Sequence, residues 1–215
     1  EGIIYRYAPG SLEQYRVTNP SNRIYYIEDL GHAGDTDNML VSVRNRGLHL
    51  MRLRDGVLVQ DVVFRCVADS AVLPQKGDSY SAYHWVKGDD GCRYLATSNG
   101  LWMLRREAVE RYVSMPPDKA VAVDSVALFS TKALMEKVDR KYQYTIESIE
   151  LRGNDLYFAS QDGLWYSDMS VAVPKLQRIS DDGGHYLHTE VWGDTLYALS
   201  ADRMLKFDMA NRRMV

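Results

Sequence analysis

The chain has little of what announces a specialised environment or a catalytic centre. Only two of its 215 residues are cysteine and six are proline. Cys66 and Cys92 have neither zinc-ligand nor redox-motif spacing, which leaves two semi-buried thiols or one disulfide as the readings. There is no long apolar run. The longest, from Ala120 to Phe129, is interrupted by Asp124 and falls short of a membrane span. Neither sign of charge dominates: the net charge is −3, with a pI near 6.0. That balance gives no general electrostatic reason to bind nucleic acid. A secretory signal is missing too, and the chain opens on Glu1 rather than Met, as a mature or excised piece would.

Catalytic signatures are equally scarce. The sequence holds no Gly-rich phosphate loop, no nucleophile elbow and no His-Glu-x-x-His, so neither a cofactor nor an enzymatic role is expected. His185 and His188 form a His-x-x-His pair, but they fall at a strand, where positions three apart face opposite sides. A structural or surface pair is the preferred account, and no metal is expected there. Asp35-Thr36-Asp37-Asn38 lacks the glycine and distal glutamate of a calcium loop. Like Asp181-Asp182-Gly183-Gly184, it reads as a polar turn between strands.

What the sequence does have is aromatic residues and a repeat. Fifteen tyrosines and four tryptophans suit a strand-rich domain of 46% hydrophobic content. Four segments align without gaps: Val41–Leu48, Tyr94–Leu101, Tyr157–Leu164 and Tyr197–Met204. Each reads as a strand, a short polar turn usually closed by glycine, and a second strand. Asn99-Gly100 and Asp162-Gly163 are strong hairpin signals. Ala96, Ala159, Thr97, Ser160 and Ser200 are small enough for neighbouring sheets to approach closely. A strand-like run precedes each hairpin (Ile24–Asp29, Tyr80–Val86, Tyr144–Leu151, Tyr186–Trp192). Another follows three of them (Leu58–Phe64, Val109–Val113, Leu176–Ile179). The repeating unit is therefore a four-stranded antiparallel meander. The turn positions 47, 100, 163 and 203 give spacings of 53, 63 and 40 residues, in the range of β-propeller blades.

The expected fold is thus an all-β propeller array of about four blades plus a partial one, spanning residues 1–215. Gly2–Tyr7 reads as a strand following a turn and Glu13–Val17 as an outer strand, so the chain opens halfway through a blade. Either that outer strand completes the last blade of a small closed ring, or the chain is an arc of a larger propeller. An arc would leave sheet faces in need of a partner and favour self-association. The wide spacing between the second and third turns comes from an insertion at about 116–142. Ser130 can cap a short helix there, running to Lys141 with Ala133, Leu134 and Val138 on one face.

The repeated columns resemble the two-component regulator propeller repeat, roughly aromatic-Val-Gly-Thr-x-x-Gly-Leu followed by two residues and an aromatic. Tyr94–Leu101 and Tyr157–Leu164 are close matches. Val41–Leu48 departs by placing Arg44 at the Thr column, and the last repeat has Arg203-Met204 in place of Gly-Leu. The resemblance implies a periplasmic sensor segment of a hybrid two-component system, often one that senses glycan fragments. Its membrane helix, kinase and DNA-binding parts would lie outside these residues. The competing readings are a protein-interaction scaffold and the propeller of a carbohydrate-active enzyme.

Ligands of propellers commonly sit against the inner strands. Tyr83, His84 and Trp85 belong to one expected inner strand and Trp192 to another. An aromatic face there could stack on a sugar while polar neighbours take its hydroxyls. Those four are the candidate binding residues for a small molecule or oligosaccharide. Trp102 and Trp165 share one repeat column and are assigned to packing between sheets.

Overall fold

The computed structural model describes residues 3–17, 23–33, 36–54, 57–64, 80–114, 135–137, 145–171, 174–180 and 182–215. They divide into two compact units, one made of 1–82 with 107–135 and the other of 83–106 with 136–215. Cys66 and most of the insertion at 116–142 lie outside the described residues. Where that insertion is described, at Met135–Lys137, it is a strand rather than the expected helix.

In the first unit, β1 (Ile3–Ala8) and β2 (Ser11–Val17) form a hairpin as the alternation predicts. β3 (Ile24–Ala33), β4 (Thr36–Val43), β5 (Gly47–Arg54) and β6 (Val57–Phe64) follow as an antiparallel meander. β2 then adds to the edge of β6 by a short parallel pairing, Arg16 to Val57 and Val17 to Leu58. Ile4 and Tyr15 turn inward and share a core with Met39, Val41, Val43 and Met51. α1 (Arg106–Val113), all but its first residue, belongs here as well. A third strand was expected over Val109–Val113, and the helix replaces it. Glu107, Ala108, Glu110 and Arg111 are strong helix formers, and the buried Ala108, Val109 and Tyr112 recur at helical spacing. Arg52, buried at 1% exposure, donates to the Tyr112 carbonyl near the helix C-terminus, where the dipole favours a cation.

The first turn differs from the other three. Val43 pairs with Gly47 across a three-residue loop, whereas Thr97–Gly100 and Ser160–Gly163 enclose two residues. In the two-residue turns a hydroxyl closes the loop: Thr97 Oγ1 donates to the Gly100 carbonyl at 2.7 Å and Ser160 Oγ to that of Gly163 at 3.0 Å. Ser200 Oγ repeats the bond to the Arg203 carbonyl at 3.2 Å, so the non-glycine turn keeps its geometry. Val43 has no hydroxyl to offer. An extra residue is accommodated instead, with Asn45 at φ 56° and Gly47 at φ 80°. The ungapped alignment is therefore one residue out on the strand before that turn. A Cβ on Gly47 would come within 2.3 Å of the Tyr80 ring, so the position demands glycine on two counts.

The second unit is built of three four-stranded sheets. β7 (Ala82–Lys87), β8 (Arg93–Thr97), β9 (Gly100–Leu104) and β10 (Met135–Lys137) make one, with β10 on the outer edge beside β9. β11 (Ile146–Arg152), β12 (Asp155–Ser160), β13 (Gly163–Asp168) and β14 (Gln177–Arg178) make the next. β15 (Tyr186–Trp192), β16 (Thr195–Ser200), β17 (Met204–Asp208) and β18 (Arg213–Met214) make the last. The expected meander is present in each.

Successive side chains on a strand point to opposite faces, and β12 is buried on both. Phe158 faces a core with Tyr94, Ala96, Leu101 and Ile149. Tyr157 and Ala159, with Leu164 and Tyr166, face another core with Tyr186, Leu196, Ala198 and Phe207. Each fully buried large side chain contributes about 1.5–3 kcal/mol of transfer free energy, so the stacked faces dominate the stability of the unit. Ala96 and Ala159, both 0% exposed, permit the close approach their size suggested. Trp165 stacks parallel to Phe158 with ring centroids 6.4 Å apart, and Trp102 is buried with its indole bonded to the Asn99 carbonyl at 3.0 Å. Both tryptophans therefore serve the packing.

Candidate functional site

β11 and β15 each carry a bulge near the start, between Ile146 and Ser148 and between Tyr186 and His188. The bulge resets the alternation so that Ser148 and Glu150 face the fourth sheet, while His188, Glu190 and Trp192 take the corresponding columns on β15. The columns follow from register. Ser148 pairs with Ala159 as His188 does with Leu199, and Glu150 pairs with Tyr157 as Glu190 does with Tyr197.

A polar cluster forms where these strands meet. Thr189 Oγ1 donates to Ser148 Oγ at 3.0 Å, and His188 Nδ1 lies 3.4 Å from the same hydroxyl. His188 Nε2 is 3.8 Å from Glu190 Oε2. His84 of β7 joins the group. Burial, and secondarily the nearby His188, hold its imidazole below the usual histidine range, against the opposing pull of a backbone bond at Ile149 and of Glu190. Burial, reinforced by Glu190, pushes the Glu150 carboxyl up from 4.5 to about 7. The cluster therefore couples two carboxylates and two imidazoles across three strands.

Of the four candidate residues, His84 enters this cluster and Trp192 lies on the exposed face of the strand that supplies half of it. Trp192 is 79% exposed, four residues beyond His188 and two beyond Glu190 on the same face of β15. Tyr83 is half-buried, and Trp85 is only 3% exposed, with no ring face open to a ligand. Ser148, Glu150, His188 and Glu190 were not singled out from sequence as ligand contacts. The available signal was the polar i, i+2 alternation of Ser148-Ile149-Glu150 and His188-Thr189-Glu190, which reads as ordinary strand patterning until the strands are set side by side.

The remaining motifs are accounted for by structure. His185 pairs with Glu147 at 3.5 Å while His188 turns to Ser148 and Glu190, so the two histidines have separate partners. Asn38 ties its own hairpin through the carbonyls of Thr36 (2.9 Å) and Gly31 (3.3 Å). Asp182 accepts from Tyr186 at 2.6 Å and from the Gly184 amide at 3.1 Å, which holds its carboxyl below the usual range. Among the described residues no group of three His, Cys, Asp or Glu side chains is placed to hold a metal ion. No helix among them is long and apolar enough to cross a membrane.

No family model matches the sequence, and no curated protein matches it. Solved structures do. The extracellular domain of the putative hybrid two component system BT4673 from B. thetaiotaomicron superposes with a TM-score of 0.57 at 12% identity, covering 93% of this chain and 22% of that one. The corresponding domain of BT3049 from the same organism gives 0.55 at 12% identity, over 94% and 24%. The computationally designed Ika4 protein gives 0.51 at 8% identity, over 91% and 96%. The chain thus spans about a fifth to a quarter of the two natural domains it is similar to. At these identities the likeness is one of fold: antiparallel sheets in a propeller-like array, of the kind found in the extracellular domains of hybrid two-component systems.

Proposed function

We propose that this chain is a non-catalytic, ligand-sensing arc of a larger extracellular or periplasmic propeller in a hybrid two-component system, and that it takes glycan fragments. The observation that carries the reading is Trp192. A tryptophan 79% exposed on an inner strand, with Glu190 the next side chain on the same face, offers an apolar plate beside a hydrogen-bonding group. That is the arrangement a sugar ring requires, with one apolar face to stack and a hydroxyl rim to bond. His84, which reaches the same cluster from β7, adds a further polar group, with Tyr83 and Trp85 on the opposite face of that strand. The fold of the solved neighbours supports a sensor setting.

The test is calorimetric titration of the chain with a panel of soluble oligosaccharides. Binding by the native chain that weakens at least tenfold in Trp192→Ala, with unchanged thermal midpoint, is the expected result. Undiminished affinity in that variant, or no heat with any oligosaccharide, would overturn it. One observation favours a second reading, the propeller of a carbohydrate-active enzyme. Glu150 and Glu190 are electrostatically coupled, with one carboxyl raised to about 7, a pattern shared by acid–base pairs. Release of shortened products during the titration would replace the sensor reading with that one.

A further inference from the structure

Trp192 ends β15, and the two-residue turn after it, Gly193-Asp194, is permissive. Gly193 sits at φ 60°, and a Cβ there would meet nothing within 4 Å. Within its own sheet the turn is tied by the Met209 amide, which donates to the Asp194 carbonyl at 3.0 Å. A second tie comes from the neighbouring sheet. Arg152 Nη1 donates to the Gly193 carbonyl at 3.1 Å, and Nη2 of the same guanidinium bonds to the Asp194 carboxylate. Register puts Arg152 in the column of Trp192, since Arg152 pairs with Asp155 as Trp192 does with Thr195. The fourth sheet lies beside the third, yet the Arg152 side chain is 45% exposed. A sheet alongside therefore does not close this column.

We infer that Arg152 is a positioning residue for the stacking plate: reaching across from the third sheet, it fixes the turn that follows Trp192 and so pre-orders the indole for a sugar ring. The inference rests on the sugar-binding reading above and deepens it. Two bonds from one planar guanidinium constrain direction as well as distance, which a single contact does not. One of them ends on the carbonyl of Gly193, the residue directly after Trp192. It therefore acts on the backbone that sets where the indole leaves the strand. The ion pair itself adds little to stability, because its side chains are 45% and 68% exposed. Loss of Arg152 is thus separable from loss of the fold. Ordering an exposed side chain on binding weakens affinity, and a plate already held in place avoids part of that loss.

Fluorine NMR of the chain labelled with 5-fluorotryptophan tests this without a ligand. The four tryptophans give four signals, and Trp192→Phe assigns the one that matters. In Arg152→Ala the Trp192 signal should shift and narrow as the ring moves more freely, with those of Trp85, Trp102 and Trp165 unmoved. Arg152→Lys, which can reach one of the two acceptors but not both, should fall between native and Arg152→Ala. A Trp192 signal unchanged in Arg152→Ala, or four signals that shift together as in general loosening, would overturn the inference. Calorimetry with an oligosaccharide that binds the native chain supplies the second arm. Affinity should weaken about three- to tenfold in Arg152→Ala, as expected when one more side chain must be ordered on binding. Undiminished affinity would count against the inference equally. The two readings fail separately: a Trp192 signal that responds to Arg152 in a chain that binds no oligosaccharide would keep the positioning and sink the sensing proposal.

Discussion

The third and fourth sheets are near copies in sequence and register, yet one behaves as core and the other as surface. Tyr157 and Tyr197 occupy the same column. The first is 1% exposed, tilted against Tyr166 and Phe207 with ring centroids 5.4 and 6.0 Å away. The second is half-buried, with the Lys206 ammonium 5.6 Å from its ring centroid. The difference lies in what covers them and in two of the four columns, where Lys206 stands in place of Tyr166 and Leu199 in place of Ala159.

The largest expected effect comes from removing the shared aromatic on each side of that comparison. Tyr157→Ala empties a site closed on all sides and should cost about 3–5 kcal/mol, whereas Tyr197→Ala should cost about 1 kcal/mol or less. Urea unfolding of the two variants measures both. Equal losses would mean that the fourth sheet is covered in solution, and two small losses would mean that the third is not.

A smaller effect separates the carboxylates at the next shared column. The Glu150 carboxyl, raised from 4.5 to about 7 by burial and then by Glu190, favours the folded state while protonated. Its contribution is fully present below about pH 4.5 and is lost as pH rises through about 7. Glu150→Gln should therefore match the native chain near pH 4 and exceed it at pH 8 by about 1–2 kcal/mol, discounted for the side chain's partial solvation. Glu190→Gln should shift the midpoint of the native chain's dependence downward by removing the neighbouring charge. Thermal melts across pH read both, and a flat difference between native and Glu150→Gln would show that Glu150 is solvated.

Much of this was legible in the residues. Turn glycines and small columns located the hairpins, and strand boundaries fell within a few residues of expectation. The missed features share a physical cause. The first turn slipped by one residue because Val43 lacks the hydroxyl that closes the shorter loop, a bond invisible in an alignment of letters. Val109 and Tyr112 suit a strand, but Glu107, Ala108 and Glu110 around them outweigh that preference and make a helix. Of the candidate site, Trp192 and His84 were marked from their strands, and His188 was read as a structural or surface residue. That it meets Ser148, Glu150 and Glu190 was not legible, because the meeting depends on two bulges and on which sheet stacks on which.

Stacking of the third sheet on the fourth brings the polar cluster together, and one engineered crosslink tests it. Ser148 and Thr189 lie on facing strands with their hydroxyls 3.0 Å apart. Cysteines at both positions, in a background with Cys66 and Cys92 replaced by serine, should close a disulfide on oxidation and raise the denaturation midpoint. Two thiols that stay separately reactive in the folded, oxidised protein would contradict the stack.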